Sequence, residues 1–131
     1  MRCLPLVGVL LLLAACSPSE ELRLAEREVT KFRDLVDAGA YDVLYVGTAQ
    51  RLKDVTSEAQ FVAMLERTHG SLGKLRRSER NDWSVEADTS DGIVVKLGYA
   101  TSYEHGDRKE EYTYLIRGQH AALAQYAIRV R

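Results

Sequence analysis

The 131-residue chain is predicted to fold as an α+β domain, with N-terminal helices packed on a curved four-stranded antiparallel meander sheet. Three observations predict it. Apolar residues recur at helical spacing before Gly73, they alternate with polar residues after it, and short turn sequences separate the alternating segments. Because parallel neighbours need long crossovers, such short links indicate antiparallel strands, and helices that precede a meander are typical of α+β domains.

Three segments before Gly73 carry helix signals. The first has one apolar stripe and ends at Gly39; the stripe contains Leu22, Ala25, Val29, Phe32, Leu35 and Val36. The second segment, residues 40–47, turns three apolar side chains inward if it is helical: Tyr41, Leu44 and Tyr45. The third begins at a capping box of Ser57 and Gln60, with Thr56 as a rival cap, and ends before Gly70.

Four alternating segments follow, and each is predicted to be a strand. The first covers residues 74–87 with an interruption near residues 81–82, and turns are predicted at 88–92, 105–107 and 118–119. The last strand is predicted to alternate without a break through Ala122, Ala124, Tyr126, Ile128 and Val130. The opposite face of the sheet is polar and is expected to meet solvent; it carries Lys96, Glu104, Glu111, Thr113, Gln125 and Arg129.

The first 15 residues have the features of a secretory signal peptide. Arg2 supplies a positive charge, and the apolar run of residues 4–15 is shorter than the roughly 20 residues that a bilayer-spanning helix needs. The run ends in Leu13-Ala14-Ala15-Cys16, which resembles the lipobox of bacterial lipoproteins. An ordinary signal peptide with a chance cysteine is the alternative.

The lipobox resemblance implies lipidation of the Cys16 thiol by a diacylglycerol, cleavage between Ala15 and Cys16, and frequent acylation of the new amine. Two or more acyl chains anchor a protein stably, whereas one chain holds only marginally. Ser17 is not the Asp associated with inner-membrane retention, so the resemblance favours the outer membrane, facing the periplasm. We therefore expect a signal peptide at residues 1–15, the lipidated cysteine and a short tether at 16–19, and a single α+β domain at 20–131.

Charge and cysteine content exclude several classes of protein. The chain has 18 Lys and Arg against 19 Asp and Glu. Loss of the leader removes Arg2 and leaves 17 basic against 19 acidic residues, and this small negative net charge is unlike that of a nucleic-acid binder. Cys3 would leave with the leader and Cys16 would carry lipid, so neither a disulfide nor a thiolate metal site is expected. The basic run at residues 74–80 fits a solvated strand face, with contact to anionic lipid headgroups as the alternative.

A second resemblance covers about residues 32–131. The segments "FRDLVDAGAYDVLY", "TSEAQFVAMLERTHGSLGKL" and "LAQYAIRV" resemble small periplasmic domains of the cystatin-like or nuclear-transport-factor-2-like roll, which include uncharacterised lipoprotein families. The resemblance implies that a helix lies in the hollow of a curved sheet, although the full roll often has a further strand or helix. Members of such folds include enzymes and binding modules, so the fold does not choose the function.

No catalytic motif is present in the sequence, and no catalytic residue, metal site or cofactor is expected. His69, His105 and His120 lie at the ends of predicted elements, where a metal site is not expected. Glu110 and Glu111 are adjacent on a strand and point to opposite faces, so they cannot pair as acid and base.

Six aromatic residues on the predicted strands form the candidate pocket: Trp83, Tyr99, Tyr103, Tyr112, Tyr114 and Tyr126. Core packing is the first interpretation, a ligand pocket the second, and catalysis the third. Isomerases of this fold class use a Tyr hydroxyl together with a carboxylate. Because we expect no carboxylate on the apolar face of these strands, catalysis is disfavoured.

The function that the sequence favours is that of a non-enzymatic, membrane-anchored periplasmic lipoprotein that binds a protein or another component of the cell envelope. The exposed sheet face and the last strand are the expected interaction surfaces, and an unpaired edge could also pair two copies into a homodimer. The alternative is a small-molecule binder or an isomerase-like enzyme that uses the Tyr-lined hollow.

Overall fold

A computed structural model of the chain describes residues 18–88 and 92–131, so the leader, Cys16 and residues 89–91 lie outside the described residues. The order is four helices and then four strands: α1 (Pro18–Asp37), α2 (Tyr41–Val46), α3 (Gln50–Val55), α4 (Glu58–His69), β1 (Leu75–Asp88), β2 (Gly92–Tyr103), β3 (Gly106–Arg117) and β4 (His120–Val130). The predicted α+β class is confirmed. Helix α1 already begins at Pro18, within the predicted tether.

Helix α1 presents its predicted stripe to the sheet. Ala25, Val29 and Phe32 on this stripe are at most 2% exposed, and all three belong to the main core cluster. The helix ends where Gly39 takes φ +68, a left-handed conformation that glycine adopts without steric cost. The apolar period therefore predicted the buried face of this helix, and Gly39 predicted its end.

The short helices divide into one that was predicted and one that was not. In α2, Tyr41, Leu44 and Tyr45 pack against the core, as the sequence indicated. Helix α3 was not predicted, because six residues with Leu52 as their single buried side chain show no helical period. The structure also decides between the rival caps: Ser57 Oγ accepts from the Gln60 N–H at 3.2 Å, and Gln60 Oε1 accepts from the Ser57 N–H at 3.0 Å.

The sheet is a four-stranded antiparallel meander of order β1-β2-β3-β4, which confirms the predicted topology. Strand β1 carries a register shift between Arg80 and Asp82, at the predicted interruption. The turn between β2 and β3 is formed by Glu104 and His105; the predicted turn at 105–107 was placed too late, since Gly106 and Asp107 already belong to β3. Strands β1 and β4 are the two edges of this sheet.

Strand β4 departs from the prediction because it contains a β-bulge. Thr113 pairs with Gln125 but Tyr114 pairs with Leu123, so Ala124 is an extra residue. An extra residue shifts the two-residue period and exchanges the faces on either side of it. The predicted unbroken alternation is therefore wrong: Ala121 and Leu123 enter the main core, while Ala122 and Ala124 pack in a second cluster.

The second cluster lies on the open face of the sheet, which is the face opposite α1. It contains Ala49, Leu115 and Ala124, with Val94 and Ala122 packed against them. The Ala49 N–H donates to the Leu123 carbonyl at 2.8 Å, so the chain entering α3 pairs with the outer side of β4. The residues expected at solvent are exposed, except that Thr113 is half-buried; Glu104 lies in the turn after β2.

Candidate functional site

Three tyrosine hydroxyls converge on Glu110, whose side chain is fully buried under α1. Tyr103 donates to Glu110 Oε2 at 2.7 Å, and Tyr126 and Tyr112 donate to Oε1 at 2.5 and 3.4 Å. An isolated buried carboxylate is costly, and hydroxyl donors offset part of that cost. These hydrogen bonds hold side chains from β2, β3 and β4 in one network.

Glu110 overturns one expectation from the sequence. We expected no carboxylate on the apolar face of these strands, and the structure shows that this was wrong. Glu110 precedes Tyr112 by two residues on β3, and residues two apart on a strand share a face. That spacing was the signal in the sequence that could have identified Glu110.

The tyrosines of the network are held as hydrogen-bond donors. Burial first, and then the charge of Glu110, raise the pKa of Tyr103 and of Tyr112 well above the ordinary value for a phenol. The pKa of Tyr126 is raised by burial, by Tyr112 and by Glu110. All three hydroxyls therefore keep their protons at neutral pH and donate hydrogen bonds to the carboxylate.

His69, the last residue of α4, extends this network toward the surface. Its Nε2 lies 2.9 Å from the Tyr126 hydroxyl. Tyr126 has a single hydroxyl proton and uses it in the hydrogen bond to Glu110. The Nε2–H of His69 must therefore donate the hydrogen bond to the Tyr126 oxygen. Burial lowers the pKa of His69, although Glu110 and Asp37 act in the opposite direction. A pKa below 6.5 favours the neutral ring at pH 7, and with Nε2 as the donor the neutral ring has its lone pair on Nδ1.

Arg33 on α1 adds a positive charge beside the tyrosines. Its guanidinium carbon lies 4.8 Å from the centre of the Tyr99 ring, and its Nη2 donates to Ser78 Oγ at 2.8 Å. Its charge acts against burial and lowers the pKa of Tyr103 and Tyr112 in part. The Nε atom of Arg33 is buried and has no hydrogen-bond partner within the described chain.

Phe32 occupies the space above the network. Its ring centre lies 5.2 Å from that of Tyr112 and 4.7 Å from that of Tyr126. The remaining gap beside Glu110 is about 10 Å³, too small for a ligand. An open groove of about 600 Å³ lies outside it, where His69 and Tyr103 reach the surface. The rest of this His69 groove is formed by Val36, Asp37, Gly39, Tyr41, Gly73, Lys74 and Glu104.

Two of the other candidate aromatics, Tyr114 and Tyr99, contact the ring of Tyr112. Tyr114 is buried and stacks on Tyr112 with ring centres 6.2 Å apart, and Tyr99 meets Tyr112 edge-on at 5.8 Å. The structure does not bring Trp83 to this group, because its side chain is 50% exposed on the edge strand β1. Five of the six candidate residues therefore share one buried face.

A second groove, of about 630 Å³, lies on the open face of the sheet beside α3. We call it the α3 groove. Its apolar part consists of Ala49, Val55, Leu115 and Ala122. Three basic residues, Arg51, Arg117 and His120, also line it, together with Gln50 and Asp54, which hydrogen-bond each other at 2.9 Å.

The described residues contain neither a cluster of metal-ligating side chains nor a helix suited to span a membrane. No three His, Cys, Asp or Glu side chains gather there in a way that could hold a metal ion. None of the helices in that same part of the chain is both long and apolar enough to cross a bilayer.

Comparison with known proteins identifies the family of the chain. No curated protein sequence matches it. A family model described as "Protein of unknown function (DUF4019)" matches residues 28–124, which is well over half of the chain. The matched part runs from the middle of α1 into β4 and includes His69, Tyr103, Glu110 and Tyr112. The chain therefore belongs to the DUF4019 family.

Proposed function

We propose that this protein is a lipid-anchored binding module of the bacterial cell envelope, without catalytic activity. The lipobox at residues 13–16 supports acylation of Cys16 and attachment to the outer membrane, facing the periplasm. The domain then binds a partner protein through the open face of its sheet. The cystatin-like or nuclear-transport-factor-2-like resemblance is compatible with this role, because such folds include binding modules.

The single observation that carries this proposal is that α1 fills the face of the sheet where a ligand pocket was considered. Phe32 lies on Tyr112 and Tyr126, and only about 10 Å³ remains beside Glu110. The opposite face keeps exposed polar side chains at Lys96 and Gln125. A recognition surface on that side needs no displacement of the core.

The two edges of the sheet differ as possible docking strands. Strand β1 is interrupted by two register shifts and exposes Arg76, Arg77, Glu79 and Arg80, features that protect an edge from pairing. Strand β4 is covered at Leu123 by Ala49 but continues to Val130, which is 76% exposed. We therefore expect a partner to contact the open face and the second half of β4.

Site-specific photocrosslinking in intact cells tests this function. A photoreactive amino acid replaces Lys96 or Gln125 on the open face, and the matched control replaces Thr30, which is exposed on α1. We expect one discrete adduct from the two sheet positions and none from Thr30. An adduct between two copies would identify a homodimer as the occupant. Absence of adducts at both sheet positions, or equal adducts at all three, would reject the proposal.

A second candidate, a small-molecule binder, is favoured by the orientation of His69. The Tyr126 bond fixes Nε2 as a donor, so Nδ1 is left as an acceptor for a ligand in the His69 groove. A ligand there need not reach Glu110, whereas isomerase-like chemistry would. A thermal-shift screen should find compounds that stabilise the wild type and His105→Gln but not His69→Gln. If no compound separates these proteins, this candidate fails.

A further inference from the structure

We propose that the α3 groove binds an anionic membrane lipid, with one acyl chain along its apolar part and the acidic headgroup beside its basic residues. This inference rests on the proposed function in one respect, since it takes the lipid from the membrane to which Cys16 is anchored. It assigns a ligand to a surface that lies beside the partner-binding part of the open face.

The apolar part of the groove suits an acyl chain. Leu115 and Ala122 come from paired positions on β3 and β4, and Ala49 closes the side at the edge of the sheet. Val55, at the end of α3, is 80% exposed and adds an apolar side chain at the rim. Ala49 and Leu115 are themselves buried, at 6% and 8% exposure, so Val55 and the half-buried Ala122 supply most of the exposed apolar surface. Exposed apolar surface beside polar residues is typical of membrane and protein binding sites. The volume of about 630 Å³ lies within the usual range for ligand sites.

The charges around the groove select an anion. Arg51 and Arg117 line it together with His120, and the one carboxylate present, Asp54, accepts a hydrogen bond from Gln50. Guanidinium groups bind phosphate and carboxylate oxygens with paired donors, which matches the headgroup of an acidic lipid.

The position of the groove relative to the start of α1 identifies the membrane as the source. Arg117 and His120 flank the turn between β3 and β4, and Gln119 in that turn hydrogen-bonds Glu20 in the first turn of α1 at 3.5 Å. Cys16 precedes Pro18 by two residues, a span of at most about 7 Å. An acylated Cys16 would therefore hold this end of the domain close to the lipid surface.

The test uses the full chain, purified from its membrane in a non-ionic detergent. The probe is phosphatidylglycerol with a photoreactive diazirine in one acyl chain, with unlabelled phosphatidylglycerol or phosphatidylcholine as competitor. We expect the label on α3 and on the residues that flank the β3–β4 turn. Unlabelled phosphatidylglycerol should compete at least fivefold better than phosphatidylcholine.

Two variants and a matched control separate the site from general attraction to anions. Arg51→Gln/Arg117→Gln should lower labelling at least fivefold, and Val55→Asp, a change at an exposed position, should lower it similarly. The control Arg76→Gln/Arg77→Gln removes the same charge from exposed positions on β1 and should keep the wild-type level. Thermal melts verify that each variant is folded.

The inference is overturned if the label maps elsewhere, if both competitors act equally, or if the control loses as much labelling as the groove variants. These outcomes are independent of the partner test. Lipid labelling in the groove without protein adducts at Lys96 and Gln125 would reject the proposed partner surface and keep the lipid site. The reverse result would keep the partner surface and reject the lipid site.

Discussion

Tyr103 on β2 and Glu110 on β3 are joined by a hydrogen bond of 2.7 Å from the phenol to the carboxylate, inside the core. The bond connects the surface of the His69 groove to a fully buried acid, because Tyr103 also lines that groove. Leaving a buried polar group unsatisfied costs about 1–3 kcal/mol. Substitution of any one residue in the network around Glu110 should therefore lower the free energy of unfolding through the partners that it leaves unsatisfied.

Glu110→Gln should lower the free energy of unfolding by about 1–3 kcal/mol. An amide keeps one acceptor oxygen, but its NH₂ group cannot accept the hydroxyl proton of Tyr103 or Tyr126. The measurement is urea denaturation followed by circular dichroism. Glu111→Gln, next to it but exposed, is the matched control and should stay within about 0.5 kcal/mol of the wild type. Equal effects of the two substitutions would contradict the structural role assigned to Glu110.

Stability should fall as the pH decreases through 6.5 because of His69. Burial lowers its pKa in the folded protein below the 6.5 of the unfolded chain. Below pH 6.5 the unfolded chain therefore takes up a proton that the folded chain resists, and the proton favours unfolding. The loss should continue until the pH reaches the pKa of the folded state, against the opposing charges of Glu110 and Asp37.

Urea denaturation at several pH values measures this dependence, and an NMR titration of the His69 ring gives the pKa directly. In His69→Gln the free energy of unfolding should depend less on pH over the same range. A pKa above 6.5 in the folded protein, or an unchanged profile in His69→Gln, would show that burial does not dominate at this residue.

Phe32→Ala should destabilise the domain by about 3–5 kcal/mol, because it removes a buried ring and leaves a cavity above Tyr112 and Tyr126. Thermal and urea unfolding measure the change. Thr30→Ala, exposed on the other side of α1, is the control and should have little effect. A loss below about 1 kcal/mol for Phe32→Ala would mean that α1 does not seal this face of the sheet.

Cys16→Ser should abolish labelling by a palmitate analogue and release the protein from the membrane fraction. Without the thiol no diacylglycerol can be attached, and the acyl chains are the proposed anchor. Cys3→Ser removes the only other cysteine and should leave labelling intact. Retained labelling and membrane association in Cys16→Ser would show that the chain is held in another way.

The sequence by itself determined the elements whose signals are local. The stripe of α1, the cap at Ser57, the alternation of β2 and the short turns of the meander each depend on residues within a few positions of one another. The spacing from Glu110 to Tyr112 was local too, so the presence of a carboxylate on this face could also have been predicted.

Only the tertiary structure decided which groups meet. The bulge at Ala124 depends on how β4 pairs with β3, and it exchanges the faces of Leu123 and Ala122. The bonds from Tyr103, Tyr126 and Tyr112 to Glu110 join three strands, and His69 reaches them from a helix 57 positions before Tyr126. Such contacts arise from packing of distant segments, because no pattern along one strand encodes the position of another.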